Sequence, residues 1–212
     1  MKTILCYGDS LTWGYSAETL GRHAYADRWP SVLEAELGGS ARIIAEGLNG
    51  RTTAFDDHLA DADRNGVRVL PTLLASHAPL DLVIIMLGAN DMKPFICGDA
   101  FGSMQGMQRL IDLVRTQVYG FFYQIPQVLI VSPPPLTPSS DADFAEMFSG
   151  GIEQSKRLAG LYARAAEVYQ CGFFDAGTVA STTPLDGVHL DAANTRAIGK
   201  ALAPIVKTML GL

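Results

Sequence analysis

Apolar residues recur along this chain in two rhythms. Five short runs, residues 3–7, 42–45, 82–87, 127–131 and 172–174, are dense in Ile, Val, Leu and Phe and stop near a Gly, Ser, Asn, Asp or Pro. Runs of that length and composition predict strands covered on both faces, as in a parallel sheet. Between them the spacing turns helical. Residues 29–37 open with Pro30 in the first turn and close on Gly38-Gly39, the asymmetry expected of a helix. Residues 67–77, 104–118 and 151–169 carry further helical patterns, and a last helix begins at Asp191 with Ile198, Leu202, Ile205 and Met209 on one face. Strand and helix in alternation predict an α/β fold, one domain over residues 1–212, with a five-stranded parallel sheet between two helical layers. Two long connections, 92–103 and 133–148, read as loops. Both follow strand C-terminal ends, where open α/β sheets bind ligands.

Composition narrows the chemistry. With 48% hydrophobic residues, 18% charged ones and a net charge of −6, the chain reads as a globular protein without the basic face that nucleic acid or an anionic membrane requires. No run approaches the ~20 apolar residues of a membrane span, and the first apolar stretch is too short for a secretory leader. Cys6, Cys97 and Cys171 are widely spaced and form no Cys-x-x-Cys pair. They read as free thiols, and the cytoplasm is the expected compartment.

Two stretches hold the candidate nucleophile, base and acid. Tyr7-Gly8-Asp9-Ser10-Leu11 puts a hydroxyl where the first strand stops, and Asp186-Gly187-Val188-His189 puts a carboxylate and an imidazole in one short loop. A serine hydroxyl is a weak nucleophile at neutral pH; it needs a base, and the base needs an orienting acid. Ser10, His189 and Asp186 fill those roles. Asp9 reads as the anchor of the turn. Acyl transfer also needs donors aimed at the developing oxyanion, each worth ~10²–10³ in rate. The Ser10 and Gly50 backbone amides and the Asn90 side-chain amide stand after the first three strands and are the candidates.

The blocks Gly8-Asp9-Ser10-Leu11, Gly50, Gly88-x-Asn90-Asp91 and Asp186-x-x-His189, in this order, resemble those of the SGNH (GDSL-type) hydrolases. The strings 81–88, 131–136 and 173–177 are similar to the bacterial aryl esterase/acyltransferase subgroup. The resemblance spans essentially the whole chain. It implies a flavodoxin-like three-layer sandwich, an esterase that works without a cofactor, and the same assignment of Ser10, Asp186, His189, Gly50 and Asn90. It also implies acyl transfer to alcohols or peroxide and a ring-like homo-oligomer, an octamer in the resembling subgroup.

Specificity should come from the rim. Trp13, Asp9, Lys93, Phe95 and Phe148 are the candidate substrate contacts, with Ile96, Phe101 and Phe144 adding apolar material nearby. Small uncharged short-chain acyl or aryl esters are the expected partners. The apolar loops and the run Tyr119-Gly120-Phe121-Phe122-Tyr123 suggest self-association. Two other readings use the same residues: a small-ligand binding module without catalysis, and a metal-dependent phosphoesterase built on Asp9, Asp91, Asp186 and His189. No second His or Cys cluster accompanies them, so no metal site is expected.

Overall fold

A computed structural model describes residues 1–120 and 123–212. The predicted strands are present as β1 (Lys2–Gly8), β2 (Ala41–Gly47), β3 (Leu82–Met86), β4 (Gln127–Ser132) and β5 (Gly172–Asp175). They form one parallel sheet in the order β2-β1-β3-β4-β5. Period-two alternation sorts their side chains to the two faces. Leu5, Tyr7, Val83, Ile85, Val128 and Ile130 pack on one side; Ile4, Cys6, Ile84, Met86, Leu129 and Val131 pack on the other. A register slip of one residue would exchange the two sets, so burial on both faces fixes the pairing.

The helices divide between those faces. Helices α2 (Trp29–Glu36) and α7 (Ala192–Leu210) bury Trp29, Leu33, Ile198, Leu202 and Val206 against the second set. On the first set lie α3 (Gly66–His77), α4 (Ala100–Thr116) and α6 (Gly151–Tyr169), through Leu70, Leu74, Leu110, Val114, Leu158 and Tyr162. A one-turn helix α1 (Ser10–Trp13) follows β1, and Asp191 caps α7 through Asn194 N–H. None of these helices is long and apolar enough to cross a membrane.

Three expectations change. The 92–103 loop is shorter than its apolar pattern suggests, because Asp99 accepts from Gly102 N–H and starts α4 at Ala100. The 133–148 loop contains a helix, α5 (Ala142–Met147), capped by Asp141 on the amides of Asp143 and Phe144. Six residues are too few for a helical period to be read, but the cap is visible in sequence. Residues 15–16 and 21–22 pair as a small antiparallel ribbon that the strand patterning does not reveal. The three cysteines are free, with Cys171 only partly buried. Phe121 and Phe122, part of the run expected to promote association, lie outside the described residues.

Candidate active site

Strand order reverses at β1 and β3, and the ends of β1, β2 and β3 deliver Ser10, Gly50 and Asn90 to that crevice. Asp9 caps α1 by accepting from Leu11 N–H at 2.9 Å, which leaves Ser10 at the helix start. From the opposite end of the chain, His189 sets Nε2 2.9 Å from Ser10 Oγ. Its Nδ1 meets Asp186 Oδ2 at 2.6 Å. The other carboxylate oxygen accepts from Val188 and His189 N–H, both at 2.9 Å. Ser10, Asp186 and His189 are all buried, while Tyr15 packs its ring 4.3 Å from the imidazole.

The loop that carries the imidazole is folded largely on itself. Thr183 N–H donates to His189 O and Gly187 N–H to Thr183 O, while Gly187 O accepts from Thr137 N–H. Gly187 has φ +75°, and a Cβ there would lie 2.3 Å from Thr137 O, so no other residue fits without strain. Burial alone would push Asp186 up. The His189 hydrogen bond and charge, with the two backbone amides, outweigh it and hold the carboxyl below its ordinary range. An ionised carboxylate locked on Nδ1 fixes the imidazole's orientation and tautomer.

The donor side is tied together by residues that spacing alone does not single out. The turn Leu48–Arg51 closes through Arg51 N–H to Leu48 O, with Gly50 at its third position and φ +81°, the place where a type II turn demands glycine. Arg51 is buried; its Nη1 donates to Gly8 O at 2.7 Å and to Glu46 O, and its guanidinium lies 4.2 Å over the Tyr7 ring. The Arg51 carbonyl in turn accepts from Asn90 Nδ2 at 3.2 Å. Asp91 accepts from Thr53 N–H and Thr53 Oγ1, at 2.9 and 2.6 Å, and so ties the third block to the second. The signal for Arg51 was a basic residue directly after the turn glycine, at the end of a buried strand.

Ser10, Gly50, Asn90 and His189 line one cavity of about 210 Å³, whose walls include Lys93 and Phe148. A larger hollow of about 320 Å³ shares Phe144, Phe148 and Val188 with it but reaches neither Ser10 nor His189. Three of the expected rim contacts do not reach the cavity. Trp13 turns to the ribbon, where Arg22 covers its ring at 4.6 Å. Phe95 points outward and is 52% exposed. Asp9 lies beneath the floor, engaged by Leu11 N–H and, at 3.4 Å, by Asn90 Nδ2. Burial pushes its carboxyl up to about 7, with Asp91 adding to the shift and Leu11 N–H and Arg51 opposing it. Tyr15, Asn49, Phe144 and Met147 also line the cavity; they sit on the ribbon, the turn and α5, the parts least visible in the pattern.

The four acids and bases of the phosphoesterase reading are divided by these bonds. Asp91 is consumed by Thr53 and Asp9 by the α1 amide, while Asp186 and His189 hold each other. Among the described residues no three His, Cys, Asp or Glu side chains cluster as a metal site.

Lys93 is the charged side chain of the cavity wall. It is only 8% exposed, and its Nζ lies 5.5 Å from the Phe148 ring centre. Burial pulls its ammonium down, against the more distant pull of Asp57 and Asp9. A cation–π contact of this kind returns ~0.5–2 kcal/mol, less than the several kcal/mol that desolvating an ammonium costs.

Comparison with known proteins decides the family. The model of the GDSL-like lipase/acylhydrolase family matches residues 6–197, which includes every block described above. The chain belongs to that family. Among solved structures, a carbohydrate acetylesterase family member from Sinorhizobium meliloti is 63% identical, with a TM-score of 0.99 and 100% of both chains covered. The native aryl esterase of M. smegmatis is 44% identical, with a TM-score of 0.94 over 99% of this chain and 100% of that one. Est24, a carbohydrate acetylesterase from Sinorhizobium meliloti, is 44% identical, with a TM-score of 0.93 over the same shares. A search of curated proteins returned no match. Family membership makes the sandwich the GDSL-type hydrolase fold.

Proposed function

We propose that this GDSL-family chain is a serine esterase that hydrolyses small short-chain acyl or aryl esters through an acyl-Ser10 intermediate. The observation that carries the reading is the unbroken chain from Ser10 Oγ to His189 Nε2 and from His189 Nδ1 to Asp186, at 2.9 and 2.6 Å. Ser10 Oγ attacks the ester carbonyl carbon as His189 Nε2 takes its proton. The carbonyl oxygen gains the negative charge, with the amides of Ser10, Gly50 and Asn90 as its donors. Collapse breaks the bond to the alcohol, which leaves with the proton from His189. Water, deprotonated by the same nitrogen, then attacks the acyl-serine; the bond to Oγ breaks, His189 returns the proton to Oγ and the acid leaves. Asp186 orients the ring throughout.

The small cavity with its Phe144, Met147, Phe148 and Val188 walls supports compact apolar groups. Similar proteins bear the names aryl esterase and carbohydrate acetylesterase, which differ in the alcohol that leaves, so we place the common demand on the acyl side. Acyl transfer to an alcohol or peroxide, a homo-oligomeric state and a cytoplasmic location complete the proposal, as does a single domain over the whole chain. Apolar walls that hold water off the acyl-serine support the first of these.

A fluorophosphonate probe should label Ser10, and Ser10→Ala should lose both labelling and turnover of 4-nitrophenyl acetate. Unchanged hydrolysis in that variant removes the mechanism. A competing alcohol should divert product from acid to new ester in the intact enzyme.

A further inference from the structure

One ammonium faces the acyl-transfer cavity with no carboxylate within 4.0 Å among the described residues. Of the residues that line it, no Asp or Glu is present and Lys93 is the single Lys or Arg. The side chain is 8% exposed, and its packing contact is the Phe148 ring. Among the described residues no hydrogen bond or ion pair within 4.0 Å engages its Nζ, which keeps some contact with solvent. Asp57, the carboxylate that pulls most on this ammonium, stays beyond 4.0 Å and accepts from Leu59 N–H, Asp9 is committed to the α1 amide and Asp186 to His189. Lys93 follows Asn90 by one turn and is held by its own N–H to Asn90 O at 3.3 Å, which keeps the amine on the same short segment as an oxyanion donor.

We propose that Lys93 forms a subsite for a carboxylate carried by the ester. The inference rests on the esterase reading above and names a substrate class within it. A neutral acceptor would satisfy the N–H groups but leave the charge uncompensated in a poorly hydrated site; an anion satisfies both. The aromatic and aliphatic walls exclude water and strengthen the pair, while the negative character of the whole chain (net charge −6) gives no general attraction for anions. Preference for a carboxylate is therefore a local property of Lys93. Binding places the substrate's charge near the Asn90 segment and so fixes which way the ester lies in the crevice.

The carboxylate can sit on either side of the scissile bond, and two substrate pairs separate the cases. The first pair is 4-nitrophenyl hemisuccinate and its methyl-capped form, with the charge on the acyl group. The second is 4-carboxyphenyl acetate and its methyl ester, with the charge on the leaving alcohol. For each pair the ratio of kcat/KM, charged over neutral, is measured in the wild type, Lys93→Met and Lys93→Arg. Dividing the wild-type ratio by the variant ratio removes intrinsic reactivity and any loss common to both substrates. In one pair Lys93→Met should lower the ratio about tenfold or more, a loss that ~1.4 kcal/mol represents. Lys93→Arg should retain most of it, and added salt should weaken it in the wild type. If the neutral esters turn over and Lys93→Met leaves both ratios unchanged, the subsite is wrong and the esterase reading stands. If the wild type turns over none of the four, the esterase reading fails and the subsite with it.

Discussion

The two halves of this candidate active site are built in opposite ways. The imidazole half is local: Asp186, Gly187, Val188 and His189 supply a carboxylate, the left-handed turn, the amides and an imidazole within one loop. The hydroxyl half is assembled from three strand ends that are far apart in the chain, and it is held by buried cross-ties from Arg51, Asn90 and Asp91. A local site can be damaged without disturbing the frame around it. An assembled one cannot, because its ties serve buried carbonyls and amides that hold the strand ends together. The halves should therefore fail differently when broken.

The largest effects belong to the imidazole half. His189→Ala removes both proton transfers and should cost at least ~10⁴-fold in kcat, while Asp186→Asn should be some ten- to a hundredfold less severe, because orientation is secondary to the proton. Thermal stability should fall in the first variant, since Asp186 Oδ2 loses its imidazole partner while the loop keeps its backbone bonds. Steady-state rates beside melting curves test this; equal loss from the two substitutions would mean that Asp186 does more than orient.

Next comes the tie that joins the strand ends. Arg51→Met removes the guanidinium bonds to Gly8 O, which keeps Leu48 N–H, and to Glu46 O, and frees the turn that carries Gly50. We expect a drop in kcat of about 10²-fold, comparable with losing one oxyanion donor, with KM little altered because Arg51 does not touch the cavity. Stability should fall as well, by ~1–3 kcal/mol for each buried group left unpaired. Arg51→Lys can still reach one carbonyl and should recover part of the rate. A rise in KM with unchanged kcat would place Arg51 in binding instead.

This contrast also explains what could be read from the sequence. The five strands, their parallel arrangement and the two-faced core follow from short apolar runs whose alternation survives intact in Leu5 and Tyr7 against Ile4 and Cys6. Ser10, Asp186 and His189 could be named as candidates because the proposed chemistry needs particular residue types within short motifs, and the structure brings the three side chains together. The rim was not. Trp13 and Phe95 are aromatic and near the motifs in sequence, yet one is claimed by Arg22 and the other faces solvent. Tyr15 and Phe144, which do face His189, owe their place to a two-residue ribbon and a six-residue helix. Elements that short carry no period, so side-chain direction within them comes from tertiary packing.

The smallest effect separates the halves by charge. Asp186 and Asp9 are both buried carboxylates, shifted in opposite directions: the first down, because His189 and two amides outweigh burial, the second up to about 7, because burial dominates. Asp91, also buried and raised, shifts with Asp9. Between about pH 4 and about 7 the unfolded chain has released the Asp9 proton and the folded chain retains it, so the unfolded state binds fewer protons and stability falls as pH rises. Asp186 works the other way, its contribution present above the ordinary carboxylate range and lost on acidification. Asp9→Asn keeps an acceptor for Leu11 N–H and removes the titration. It should lower the melting temperature by a few degrees, through the altered contact with Asn90, and flatten its decline from pH 4 to 7 relative to the wild type. Should the decline persist undiminished, Asp9 is ionised beneath the site at these pH values, and the cross-ties then hold a buried negative charge next to the amide meant to receive the oxyanion.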